Sequence, residues 1–160
     1  TERLQLRARR TKEQLLLLPF RLGNRGTFMF SDRKNVTVLY VDDEENNLFL
    51  FKSAFGNTYN VLTALSGPEG LKKLEKFHDN IIVVISDMRM PTMSGIEFVS
   101  QAKGKYANIA YFILTGFDYN DQIQEALRKD VIQRFFTKPF DVEEIKKSIE
   151  DAIDDFETSH

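Results

Sequence analysis

The sequence predicts an α/β fold, a doubly wound five-stranded parallel sheet of order 2-1-3-4-5 flanked by five helices. Three observations predict it. Apolar runs that read as strands start at residues 36, 59, 81, 109 and 131, and the separations of 23, 22, 28 and 22 residues suit parallel strands joined by helical crossovers. A stretch of helical periodicity follows each run. The central run, Ile81, Ile82, Val83, Val84 and Ile85, is β-branched throughout, as fits a strand covered on both faces.

Residues 1–35 read as a basic N-terminal extension or linker. Residues 1–34 carry a formal charge of +6 against −8 for residues 35–160, a division hidden behind the net −2 of the chain. Arg3, Arg7, Arg9, Arg10 and Lys12 precede Leu15–Leu18, and Pro19, Gly23 and Gly26 then interrupt any pattern. At most one short helix of about three turns is expected there. LLLLPF is too short for the apolar region of a signal peptide, and no small-residue cleavage site follows.

The regular part, residues 36–156, is read as one domain with 157–160 as its tail. VTVLYV (36–41) is a strand stopping at Asp42 and Asp43, and a helix from Glu44 places Leu48, Phe51 and Phe55 on one stripe. YNVLTA (59–64) is the second strand. Ser66 caps the next helix, which carries Pro68 in its first turn and turns Leu71, Leu74 and Phe77 inward. The third strand runs from Ile81 into Ser86 and Asp87, and a helix from about Gly95 follows with Ile96, Val99 and Ala102 inward. IAYFILT (109–115) precedes a helix over 118–130 that holds Ile123, Ala126 and Leu127. The fifth strand is expected over 131–136. Asp141 caps a last helix with Val142, Ile145, Ile149, Ile153 and Phe156 at helical spacing.

Open parallel sheets bind ligands in the crevice outside the carboxyl ends of their strands, where the strand order reverses. That rule brings together Asp42 and Asp43 from strand 1 and Asp87 from strand 3, with Thr115 after strand 4 and Lys138 after strand 5. Three carboxylates in one crevice repel each other unless a cation holds them, and Mg2+, a hard ion that takes oxygen ligands, answers that need. Asp42-Asp43-Glu44 alone would be an ordinary acidic helix N-terminus. With Asp87, Thr115 and Lys138 beside it, the set suits phosphoryl transfer: a carboxylate nucleophile, acids for a metal, and a hydroxyl and an ammonium for phosphoryl oxygens.

VDDE (41–44), SDMRMPTMSG (86–95), LTG (114–116) and KPF (138–140) together resemble the response-regulator receiver domain of two-component signalling, over about residues 36–156. The resemblance implies that Asp87 accepts a phosphoryl group from a sensor histidine kinase or phosphotransfer protein. It implies that Asp43 and Asp87 ligate Mg2+ with the backbone carbonyl of Arg89, while Asp42 acts mainly through water. Thr115 would bond the phosphoryl group, Lys138 would pair with it, and Gly116 would leave the site open. Phe135 stands at the aromatic switch position, where it and Thr115 would alter the surface around strands 4 and 5. Lys138-Pro139 resembles a bond that the family holds cis. Arg89 and Phe117 flank the site as bulky residues that could shield the acyl phosphate.

Such a chain is a switch that catalyses only its own phosphorylation and dephosphorylation. A homodimer on phosphorylation is possible for the family, and no direct nucleic acid binding is expected. A haloacid-dehalogenase hydrolase would begin a DxD pattern after strand 1, where DDE stands instead. A flavodoxin-like binder would want a Ser/Thr/Gly-rich phosphate loop there, and an acidic site repels phosphate. A receiver that only binds partners would not need the full set of acids, Thr115 and Lys138. His78 and His160 read as surface residues. The absence of cysteine excludes disulfides and thiolate metal sites, no apolar run reaches membrane-spanning length, and a cytoplasmic location fits both. No output segment is read after Phe156, so a stand-alone receiver or a piece of a larger regulator is expected.

Overall fold

The computed structural model describes residues 21–22, 28–30, 32–116 and 120–159. Five parallel strands form one sheet: β1 (Thr37–Val41), β2 (Asn60–Ala64), β3 (Ile81–Asp87), β4 (Ala110–Thr115) and β5 (Arg134–Thr137). Their spatial order is β2-β1-β3-β4-β5, the doubly wound arrangement. The helices are α1 (Glu45–Phe55), α2 (Gly67–Phe77), α3 (Gly95–Lys105), α4 (Asp121–Arg128) and α5 (Val142–Ser159).

Two cores cover the sheet. Val38, Tyr40, Val83, Ile85, Phe112 and Phe136 face α1 and α5, meeting Phe51, Phe55, Ile145, Ile149 and Ile153. Leu39, Val41, Val84, Tyr111 and Ile113 face the other way, against Leu74, Phe98, Val99 and Ile123 of α2, α3 and α4. Alternate residues of each strand point to opposite faces, which is why β3 is buried at every position.

Helix starts follow their caps. Ser66 accepts from Glu69 N, Ser94 from Glu97 N and Asn120 from Ile123 N. Asp141 accepts from Glu144 N, as expected for the last helix. Val142, expected inward, is exposed. Helical side chains lean toward the N-terminus, so this first-turn residue covers ground beyond the stripe that starts at Ile145.

The fourth helix is shorter than 118–130, since its cap is Asn120 and it ends at Arg128. The strand expected over 131–136 is Arg134–Thr137 instead. Asp130 takes a positive φ of 56°, and the N–H groups of Val131 and Ile132 both turn back to Ala126 O, so neither can join the sheet ladder. Ile132 still buries its side chain as an anchor below β5.

The expected helix in the basic extension falls outside the described residues. The backbone pairs Arg21–Leu22 antiparallel with Phe28–Met29. Phe30 is buried against Phe156, its N–H donates to Glu157 Oε1 at 2.8 Å, and a 3-10 turn over Arg33–Asn35 then leads into β1.

Candidate functional site

The parallel register aligns the strand ends. Val41 pairs with Ser86, Asp87 with Leu114 and Thr115 with Thr137, so the residues leaving β1, β3, β4 and β5 emerge at one edge of the sheet. Asp42 follows β1 and is wholly buried, whereas Asp43 points into solvent. Asp87 closes β3 with little exposure. Each of these three acids has a carboxylate oxygen within 4.8 Å of the others.

The loop after Asp87 is held by main-chain bonds: Met88 N donates to Leu114 O at 3.0 Å and Gly95 N to Met88 O at 2.8 Å. Gly95 is required there. A Cβ on it would stand 2.1 Å from Asp87 O and 3.0 Å from Met88 Cα, so any side chain would push the start of α3 off the loop. Thr92, in the same loop, holds a positive φ of 65°, a costly conformation for a β-branched residue.

Lys138 enters from the end of β5 through a cis bond to Pro139, and its own N–H donates to Thr115 O at 2.8 Å. Its ammonium stands 3.2 Å from Asp42 Oδ2 and 3.2 Å from Asp87 Oδ1. Burial would lower the pKa of that ammonium, yet the charges of Asp87 and Asp42 outweigh burial and hold it above the usual lysine range. Asp87 is pushed up by burial first and by the charge of Asp42 second, with Lys138 drawing it partly back.

Asp42 is saturated. Its Oδ1 accepts from Glu44 N at 2.9 Å and Asn47 Nδ2 at 3.3 Å, and its Oδ2 accepts from Tyr40 at 2.8 Å, Asn47 at 3.1 Å and Lys138 at 3.2 Å. These contacts occupy the roughly four lone-pair directions of a carboxylate, leaving Asp43 and Asp87 as the acids open to a ligand. Three acids against one ammonium leave a formal charge of −2 in an all-oxygen donor set. A hard divalent cation fits that set.

The structure therefore brings together Asp42, Asp43, Asp87 and Lys138, with fully buried Thr115 on the strand between the last two. Arg89 is exposed two residues beyond Asp87, and Gly116 is exposed with open space where a Cβ would stand. Phe117 lies outside the described residues. Phe135 sits in β5 opposite Ile113, half-buried against the core of α2, α3 and α4. Sequence reading missed Tyr40 and Asn47 as parts of the site, and gave Gly95 no role within the loop it closes. Tyr40 was detectable, because a strand's period of two puts it on the face of Asp42.

The chain matches the response regulator receiver domain over residues 38–150. It is 30% identical to sporulation initiation phosphotransferase F of Bacillus subtilis (strain 168), covering 72% of this chain and 91% of that protein. It is 31% identical to the transcriptional regulatory protein GlrR of Escherichia coli (strain K12), covering 76% of this chain and 27% of that protein. The chain spans about a quarter of the length of several such curated relatives. A solved structure described as the adenylate cyclase from Rhodopirellula baltica superposes with a TM-score of 0.73 at 33% identity, covering 78% of this chain and 92% of that one.

Proposed function

We propose, from the premise that this chain belongs to the response regulator receiver domain family, that Asp87 is its phosphoacceptor in a two-component pathway. The observation that carries the reading is the Lys138 ammonium set equally between Asp87 and Asp42 beside the open carboxylate of Asp43. In the transfer, an Asp87 oxygen bonds to phosphorus as the bond from phosphorus to the donor's histidine nitrogen breaks. Lys138 then pairs with a phosphoryl oxygen, and the Thr115 hydroxyl donates to another. Asp43, Asp87 and the Arg89 carbonyl would hold Mg2+, while Asp42, its oxygens already taken by Tyr40, Glu44 N, Asn47 and Lys138, would add negative charge beside it. When bound, Mg2+ would offset charge on the acids and on the phosphoryl oxygens.

The donor in the pathway is a sensor histidine kinase or a phosphotransfer protein, and the chain catalyses only its own phosphorylation and dephosphorylation. Loss of the phosphoryl group returns the switch to rest. A Thr115 hydroxyl drawn toward the phosphoryl group leaves space that the Phe135 ring can enter, altering the surface of β4, β5 and the segment between them. That surface would serve a downstream partner or a second copy of the chain. No helix among the described residues is long and apolar enough to cross a membrane. We assign the chain to the cytoplasm, with residues 1–35 as an extension, 36–156 as the receiver and 157–160 as its tail.

The test is phosphorylation by acetyl phosphate with Mg2+. One phosphoryl group should appear by intact mass and map to Asp87, and Asp87→Asn should accept none. An adduct retained by a folded Asp87→Asn would overturn the assignment.

A further inference from the structure

We propose that Tyr40 is a positioning residue for this site, its hydroxyl holding the Asp42 carboxylate so that Lys138 stays shared with Asp87 and free to turn to a phosphoryl group. The inference rests on the receiver reading above. Tyr40 lies two residues before Asp42 in β1 and shares its face of the strand. Its ring is fully buried and stacked on Phe51, with centroids 4.2 Å apart and planes 17° from parallel. Its hydroxyl donates to Asp42 Oδ2 at 2.8 Å, the same oxygen that takes Lys138 at 3.2 Å and Asn47 at 3.1 Å.

Three donors thus compete for one oxygen with about two lone-pair directions, and Tyr40 makes the shortest of the three bonds. A phenylalanine would stack on Phe51 equally well, so core packing alone does not account for a buried hydroxyl, which is costly to bury without a partner. If the hydroxyl is removed, the charge on Asp42 Oδ2 is met by Asn47 and Lys138 alone. The ammonium is then drawn onto Asp42 and away from Asp87. Asp43 and Asp87, the acids open to a cation, keep their places.

The test is Tyr40→Phe in the full chain, which keeps the ring and its stack and deletes one oxygen. Three quantities are measured: the rate constant for acetyl-phosphate labelling of Asp87 at saturating Mg2+, the Mg2+ affinity by NMR titration, and Tm. The rate constant should fall about tenfold, the scale of one hydrogen bond to a charged group, while Mg2+ affinity stays within about twofold. In a Lys138→Met background the same substitution should change the residual rate by less than about twofold, because the two residues act through one oxygen. A wild-type rate in Tyr40→Phe overturns the proposal, as does equal slowing in the Lys138→Met background. So does a loss of rate matched by parallel losses of Mg2+ affinity and Tm, which would make Tyr40 merely structural. Failure of the wild-type chain to label at Asp87 would instead sink the receiver reading itself.

Discussion

Lys138 and Asp87, brought together from the ends of β5 and β3, form an ion pair of 3.2 Å although Lys138 is also bonded to Asp42 at the same distance. The ammonium thus bridges two acids and can follow either. Replacing it by methionine leaves Asp87 facing the charge of Asp42 with no ammonium between them. Lys138→Met should slow acetyl-phosphate labelling of Asp87 by about a hundredfold, the usual scale for removing a charge-stabilising donor. Labelling at an undiminished rate, followed by mass spectrometry, would show that the ammonium takes no part in transfer.

The raised pKa of Asp87 has a consequence for stability. Because the folded chain holds this proton at higher pH than the unfolded chain does, ionisation of Asp87 costs stability. The cost appears as pH rises from the ordinary aspartate value of 3.8 through the raised folded value, and is complete above it. Asp87→Asn should remove it and so raise Tm. The gain should be present at pH 7 in metal-free buffer and vanish below the ordinary aspartate pKa. A thermal melt of Asp87→Asn no higher than wild type at pH 7 would contradict this.

Asp42 and Asp43, adjacent in sequence, should fail differently. Asp42→Ala strips a partner from the buried Tyr40 hydroxyl and from Asn47, and relief of repulsion on Asp87 offsets only part of that loss. A net destabilisation of about 1–2 kcal/mol is expected. Asp43→Ala, at an exposed position, should leave stability within about 0.5 kcal/mol yet weaken Mg2+ binding by tenfold or more. Chemical denaturation and NMR titration of both variants separate the two roles, and equal Mg2+ affinity in wild type and Asp43→Ala would refute the division.

The segment before β1 should act as part of the fold. Phe30 fills the end of the core beside Phe156, and Arg33 Nε donates to Glu150 Oε1 at 2.9 Å while Tyr59 donates to the other oxygen of the same carboxylate at 2.8 Å. Phe30→Ala should cost about 3 kcal/mol, as large-to-small core changes do. Arg33→Ala should cost about 0.5 kcal/mol, because its ion pair is partly exposed. Removal of residues 1–35 should therefore lower the urea midpoint by more than Phe30→Ala alone does.

Coupling from phosphorylation to the outer surface should run through Thr115, which is wholly buried at the end of β4. Thr115→Val keeps the shape and loses the donor. It should still accept the phosphoryl group on Asp87 but lose most of the chemical-shift changes around Phe135 on adding beryllofluoride. One hydrogen bond to a charged group, worth about 1.5–3 kcal/mol, shifts a two-state population by roughly ten- to a hundredfold, so its loss should be plain. A full wild-type response in this variant would place the coupling elsewhere.

The sequence by itself determined the sheet, its strand order and the acids and lysine that meet at the carboxyl ends of its strands. Period-two and period-3.6 patterns report which face of an element is buried, and the repeat length between strands leaves room only for helical crossovers. Asp42, Asp43, Asp87, Thr115 and Lys138 were legible because each stands at or just past the carboxyl end of a strand, where topology alone decides that they meet. Tertiary structure decided what local pattern could not express. Val131 and Ile132 have strand propensity, yet their N–H groups are spent on Ala126 at the end of α4, so β5 starts at Arg134. Phe30 belongs to the core because α5 runs long enough to present Phe156 and Glu157 to it, a contact across 127 residues that no window of sequence contains. Asp42 and Asp43 look interchangeable in a row of acids. Only the arrival of Tyr40, Asn47 and Lys138 around one of them makes it a buried, saturated carboxylate and leaves its neighbour open to solvent.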